Sequence, residues 1–533
     1  MKAKATTLSG RLYSLLAMGL VILAGVMSGC QLDLTNPPRL ATAEAGIPQP
    51  TTSGSLFLAA PTATPAPAGS LTVGDDLPDL AGSDLAVWVN EVSPEHEQMM
   101  QSLVGEFTRR TGANVSVQSV SPSLLPELVN TAVLSGTLPD IVVHPLEYTA
   151  GWAERGILDA SAAGEVVADV GASQFDPAAL ELVETGASVP AAVPLHGYYQ
   201  LLLYRADWLA DRNLSAPDDF ASMMVAAEGT FDQEQLVSGI IVPTESNLVT
   251  THQAFEQMAL ANGCDLINES GEVRLLDDSC DEALKHYYSV INQFSPPGVQ
   301  TDTSARNAFL NGQTAIIMTS PSILPALAGL DPALSPGCAE CTGSGGTDYL
   351  AQNTGILTQL SGANASATPV GFGNLTNLGI TSVADREAAI AFAEYWLQEG
   401  YEQWLSVDPE RKVPMLLGTA DSPRQYIDAW GTQPLPGADV SLSDIYGADV
   451  VAQLRDGIAS APRWGIWQGY GALVTKLYED LTVSIVLQEM LSGYFNTDTT
   501  LREAFRRVVE QIPNYAYSTE LPPLPEPEPT AEP

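Results

Sequence analysis

Short apolar runs alternate with amphipathic stretches from residue 84 to residue 158, and this restricts the possible folds more than any other property of the chain. "DLAVWVN" (84–90) reads as a strand. In "SPEHEQMMQSLVGEFTRRTG" (93–112), Met99, Met100, Leu103, Val104 and Phe107 fall on one helical face, Ser93 can cap the start and Gly112 ends it. "ANVSVQSV" (113–120) alternates as a strand, "SLLPELVNTAVLSG" (123–136) reads as a helix, "DIVV" as the next strand and "YTAGWAERGIL" as the next helix. Strands and helices at this spacing predict a parallel α/β sheet. In such sheets ligands bind beyond the carboxyl ends of the strands. The polar and aromatic cluster His144-Pro145-Leu146-Glu147-Tyr148, just past "DIVV", stands at that position.

The chain has 533 residues, of which 45% are hydrophobic and 16% charged, enough for two or three domains with real cores. Its beginning is not part of the fold. Lys2, Lys4 and Arg11 precede the apolar run "LLAMGLVILAGVM" (15–27), which ends at "SGC", the layout of a secretory signal over residues 1–29. Ser28 and Gly29 before Cys30 resemble the bacterial lipoprotein box, with Met27 where leucine is usual, and imply a lipidated Cys30. An uncleaved signal anchor with an incidental cysteine is the alternative. No later segment reaches the roughly 18 apolar residues of a spanning helix, so lipid would be the only membrane attachment. Residues 30–83, rich in Pro, Thr and Ala, read as a tether, and 516–533 as an acidic, proline-rich disordered tail. The formal charge is −41, and loss of the signal, which carries three positive and no negative charges, makes it about −44. Nucleic acid and anionic surfaces would repel such a chain.

The order "FTRRTGANVSV", "AVLSGTLPDIVV", "WAERGIL", "VPLHGYYQLLLYRADWL", "AFLNGQTAIIMTSP" and the Ala-rich "DREAAIAFAEYWL" resembles the extracellular solute-binding proteins of ABC importers, in the sugar-binding branch typified by maltose-binding protein. The resemblance covers roughly residues 84–515. It implies an α/β, two-lobe periplasmic-binding-protein-like fold with a hinge and an interlobe cleft. The crossings would lie near "VPLHGYYQ" (193–200), "GFGNLTNLGI" (371–380) and "GIASAPRWG" (457–465). Lobe one would be 84–194 plus 374–457, and lobe two 198–372 plus 462–515. Function would be capture of a small polar solute, a sugar or oligosaccharide, and delivery to ABC permease subunits with a separate ATPase, by a monomer lipid-anchored outside the cell membrane. A sensor lipoprotein without transport is the first alternative, a surface glycan hydrolase the second.

Catalytic patterns are sparse. "HEQMM" (96–100) lacks the second histidine of the zinc-protease motif, and neither GxSxG nor GxxxxGK[ST] occurs. The glycine-rich "TGSGGT" (342–347) lacks the strand and helix context of a phosphate cradle. No cofactor or metal is expected. Four cysteines remain after Cys30, and Cys264–Cys280 and Cys338–Cys341 are the simplest disulfide pairing; a four-thiolate zinc site would need two CxxC knuckles where only one exists. For solute contacts, the resemblance implies His144, Glu147 and Tyr148 past the "PDI" strand, Tyr198 or Tyr199 at the first crossing, and Trp464 or Trp467 near the third, with Trp464 favoured as the stacking face. Ser322 stands where many relatives carry an aromatic ring, and Asn374 and Asn377 could compensate. Each has a bland reading too: Tyr148 as a packing residue, Glu147 as a first-turn helix acid.

Overall fold

A computed structural model describes residues 77–516, apart from 185–187 and 364–367. The expected signal, lipidated Cys30, nearly all of the tether and the C-terminal tail from 517 lie outside the described residues. Twelve strands form two principal sheets and one two-stranded ladder. The first sheet holds β1 (Asp84–Val89), β2 (Asn114–Ser119), β3 (Ile141–Pro145), β4 (Val193–Tyr199), β11 (Gly373–Ile380) and β12 (Val413–Pro414), in the order β12-β4-β11-β3-β1-β2. The second holds β5 (Leu201–Arg205), β6 (Ser238–Ile241), β7 (Thr314–Thr319) and β8 (Thr354–Leu357), in the order β6-β7-β5-β8. β9 (Gln359–Leu360) pairs with β10 (Val370–Gly371).

The local reasons are legible. β1 pairs in parallel with β2 and β3, and helices return the chain between them. In the helix Pro94–Thr111, Ser93 accepts from the His96 amide, Gly112 closes the end at φ 77°, and Met99, Met100, Leu103 and Phe107 are buried. β3 lies between β1 and β11, so both of its faces are covered and its apolar run is continuous. It gives way directly to the helix Leu146–Glu154.

The two sheets meet at a double crossing. β4 stays in the first sheet through Tyr199, paired with β11, and β5 opens the second sheet at Leu201. Lobe one therefore extends past residue 194, because the ladder of Gly197–Tyr199 with Gly373–Leu375 continues to the crossing. The return passage is at Phe372, and the Gln200 amide donates to the Phe372 carbonyl at 2.9 Å. A third passage follows Asp456, whose carbonyl accepts from the Tyr199 hydroxyl at 3.0 Å. Beyond it the helix Gly471–Glu479 crosses the helix Leu146–Glu154 closely. The Gly151 amide donates to Thr475 Oγ1 (3.0 Å), which donates to the Glu147 carbonyl (2.7 Å).

Both expected disulfides are present, with Cα atoms 4.7 Å apart for Cys264–Cys280 and 5.0 Å for Cys338–Cys341. Among the described residues, no helix is long and apolar enough to cross a membrane.

Candidate functional site

Polar side chains collect where the chain crosses between the sheets. From the first sheet come Tyr198 and Asn374, neighbours in the β4–β11 register, and Glu147 in the first turn of the Leu146–Glu154 helix. From the second lobe comes the helix Val249–Ala261 with Gln253, Glu256 and Gln257, all buried. Gln253 Nε2 lies 3.4 Å from both Glu147 Oε1 and Asn374 Oδ1. Gln200 Nε2 donates to Gln257 Oε1 at 2.7 Å.

Arg463, at the third passage, ties these groups together. Its guanidinium donates to Glu256 Oε1 (3.2 Å) and to the Gly373 carbonyl (3.1 Å), lies over the Phe372 ring, and sits 3.9 Å from Glu147 Oε2. Glu256 also accepts from the Tyr478 hydroxyl at 3.0 Å. Arg463 is thus paired with Glu256 alone at hydrogen-bond distance, while Glu147 Oε2 is buried without a hydrogen-bond partner. Burial raises the Glu147 pKa, and Arg463 opposes the rise. A buried acceptor in this state has unused capacity for a hydroxyl donor.

A second cluster flanks Tyr198, which is half-buried. Burial raises its pKa to about 12, while the charge of Arg411 pulls it down and those of Glu147, Glu91 and Asp302 push it up. Its hydroxyl therefore stands among groups of both lobes. Arg411 Nη2 lies 2.9 and 2.7 Å from the two Glu91 oxygens. Asp302 accepts from Thr250 Oγ1 at 2.8 Å. The turn Pro409–Arg411 of the first lobe lies against the turn Pro321–Ile323 of the second, in which Ser322 accepts from Arg306 at 2.8 Å. The lobes touch along this seam. The 770 Å³ cavity bounded by Phe231, Leu236, Pro296 and Val299 lies elsewhere, on the second lobe. Glu91, His96 and Asp408 bring possible metal-ligand atoms within 4.8 Å of one another. Arg411 already neutralises Glu91, and Lys412 lies 2.7 Å from His96 Nε2, so the trio is charge-compensated without an ion.

The expected contact residues divide. Glu147, Tyr198, Asn374 and Ser322 lie along the seam. Tyr148 and Trp464 do not present a face to it. Tyr148 is buried and stacks on Trp152 at 5.2 Å. Trp464 is 1% exposed, meets Phe255 edge-on at 5.8 Å and donates its indole N–H to the Cys264 carbonyl at 2.8 Å. The stacking role expected of Trp464 is corrected on this ground: a ring enclosed on both sides leaves no face for a solute. Trp467 is 37% exposed and donates to the Ala461 carbonyl. His144 is fully buried, with Nδ1 on the Pro145 carbonyl, its ring against Trp152, and its pKa lowered to about 4 by burial. Asn377 donates to Thr149 Oγ1 at 3.2 Å inside the sheet. Tyr199 holds the third passage through Asp456.

Sequence reasoning missed Glu91, Gln253, Asp302, Arg411 and Arg463. Glu91 was within reach, since it follows the carboxyl end of β1 as Glu147 follows that of β3.

Residues 102–430 match the family described as bacterial extracellular solute-binding protein. The chain is 25% identical over 332 residues to the putative ABC transporter periplasmic-binding protein YcjN of Escherichia coli (strain K12), covering 61% of this chain and 71% of that one. Its fold is similar to that of a Thermotoga lettingae TMO ABC transporter solute-binding protein bound with alpha-D-tagatose (TM-score 0.60, 18% identity, 80% of this chain and 99% of that one). It is also similar to an Arthrobacter chlorophenolicus A6 sugar transporter with bound laminaribiose (TM-score 0.62, 14% identity, 81% and 100%).

Proposed function

Because the chain belongs to the bacterial extracellular solute-binding proteins, we propose that it captures a carbohydrate in the seam between its lobes and delivers it to an ABC permease driven by a separate ATPase. The observation that carries this reading is the convergence on one seam of Glu147 and Tyr198 from the first lobe with Gln253, Asp302 and Arg463. Carboxylates and amides held at fixed separation suit sugar hydroxyls, which donate and accept along defined directions. The cations are already matched, Arg411 by Glu91 and Arg463 by Glu256, so a neutral solute meets no bare charge. The solute-bound neighbours, with tagatose and laminaribiose, agree with that class. Solute bridging both lobes would favour the closed form by its differential affinity, and no bond of the solute is broken. A diacylglyceryl group on Cys30, followed by the proline-rich tether, would keep the domain at the membrane surface.

Thermal shift against maltose, laminaribiose, D-tagatose and D-mannitol tests the class, since a binder raises stability by RT ln(1 + [L]/Kd). With the best binder, Glu147→Gln is expected to weaken affinity about ten- to a hundredfold, or about 1.5–3 kcal/mol. Calorimetry showing unchanged affinity in both Glu147→Gln and Tyr198→Phe would remove the seam as the binding site.

A further inference from the structure

Lys412 is completely buried. Its ammonium donates to His96 Nε2 at 2.7 Å and to the Trp404 carbonyl at 2.9 Å, and lies 3.8 Å from the Trp404 ring centroid. No carboxylate oxygen of the described residues comes within the 4.0 Å of an ion pair. His96 Nδ1 is 2.7 Å from Ser93 Oγ. A neutral imidazole with its proton on Nδ1 satisfies both contacts, donating to Ser93 and accepting from Lys412. An ammonium held only by an imidazole, a carbonyl and a ring is an expensive interior group; methionine of similar volume would spare the fold its desolvation.

The location of this group suggests what offsets that cost. Lys412 follows Arg411, and the two side chains diverge: Lys412 points into the first lobe, Arg411 reaches Glu91 beside Tyr198. Their partners also neighbour each other, Glu91 just before and His96 just inside the helix Pro94–Thr111. Two cross-links therefore join the same pair of segments, one buried (Lys412–His96) and one at the seam (Arg411–Glu91). The joined turn contains Asp408 at φ 51° and is held further by the Trp430 indole N–H on the Pro409 carbonyl at 2.8 Å.

We propose that Lys412 is a positioning residue: by anchoring on His96 it fixes the 408–412 turn and holds the Arg411 guanidinium against Glu91 at the interlobe seam. The consequence for solute rests on the carbohydrate reading above, but the positioning does not. Burial lowers the Lys412 pKa to about 7, in keeping with an ammonium that is poorly compensated.

The test reads Arg411 directly and needs no solute. In protein labelled with ¹³C and ¹⁵N at arginine, exchange between the two Nη signals reports rotation about the Nε–Cζ bond; the Arg411 signals are assigned by their loss in Arg411→Lys. Lys412→Met is expected to melt at or above the wild-type temperature, yet Arg411 should rotate at least tenfold faster, as it should in Glu91→Gln. His96→Gln, whose amide oxygen can replace Nε2 as acceptor, is expected to stay within threefold of wild type. Wild-type rotation in a folded Lys412→Met overturns the proposal and leaves Lys412 a packing residue. If Lys412→Met does not fold, His96→Leu decides the same way, faster rotation supporting the proposal and unchanged rotation overturning it. Failure here leaves the carbohydrate reading standing, and a solute panel that does not bind leaves this result standing.

Discussion

Trp464 and Trp467 are three residues apart and differ in every physical respect. Trp464 fills the core between Phe255 and the Cys264 carbonyl; Trp467 is 37% exposed. Trp464→Ala should therefore cost about 3–5 kcal/mol, from lost burial and the cavity left behind, with a buried carbonyl at Cys264 stripped of its donor. Trp467→Ala should cost less than about 1 kcal/mol. Denaturant titration of the two variants without solute checks both, and equal midpoints would contradict the placement. The same contrast explains why residue roles were only partly legible in the sequence. A strand tip can be recognised from an apolar run that stops in a polar cluster, which is how Glu147 stood out. Which of two nearby tryptophans is enclosed depends on Phe255 and Cys264, some 200 positions away, and no local pattern encodes that. Arg463 was unreadable for the same reason, since its partner Glu256 is 207 residues distant.

The elements from 84 to 158 were legible because their apolar residues repeat at helix or strand period and each helix has its own cap. β11 was legible only as a glycine-rich crossing. Its Asn374, Thr376 and Asn377 are buried polar residues in a strand flanked on both sides, the reverse of the usual apolar central strand, and they are tolerated because the Asn374 and Asn377 side chains find partners in Gln253 and Thr149. The segment from 413 to 455 was not legible at all, because helices as short as Gln425–Ala429 and Leu442–Tyr446 are too brief to show a period. The crossing of Leu146–Glu154 with Gly471–Glu479 depends on small residues at its contact. A Cβ on Gly151 would lie 2.5 Å from Thr475 Cβ, and one on Gly471 would lie 2.6 Å from Ala150 Cβ. Alanine is the better helix former, yet Gly151→Ala should destabilise by about 1–3 kcal/mol because the helices must part. A thermal midpoint equal to or above wild type would show that this contact yields freely, as it would if the two helices separated whenever the lobes opened.

At the scale of the whole molecule, five histidines and a large acidic excess govern the response to pH. Burial lowers the pKa of every one: His96 and His252 to about 3, His144 and His286 to about 4, and His196 well below its usual value. The unfolded chain binds these protons near pH 6.5 and the folded chain refuses them until pH 3–4, so each removes about 1.4 kcal/mol of stability per pH unit across that window. Buried carboxyls act in the opposite sense. Burial raises Glu410 to about 8 and Glu394 to about 7; each takes up its proton in the folded state first, so its contribution is complete below the unfolded pKa of 4.5 and is lost as pH rises through 7–8. Relief of repulsion in a chain of charge −41 adds to that side. Between pH 6.5 and 4.5 the two trends offset, and stability should decline gently. Below 4.5 the unfolded carboxylates are protonated too, the offset ends, and the histidines are left to dominate until about pH 3. A thermal midpoint followed from pH 8 to 3.5 should therefore show a shallow limb and then a steep one, with the break near 4.5. Glu410→Gln removes one opposing group: it should be more stable than wild type at pH 8 and should steepen the shallow limb. An even decline from pH 6.5 downward in wild type, unchanged in Glu410→Gln, would mean that the buried carboxyls do not hold their protons and that histidine protonation alone sets the acid limit of the fold.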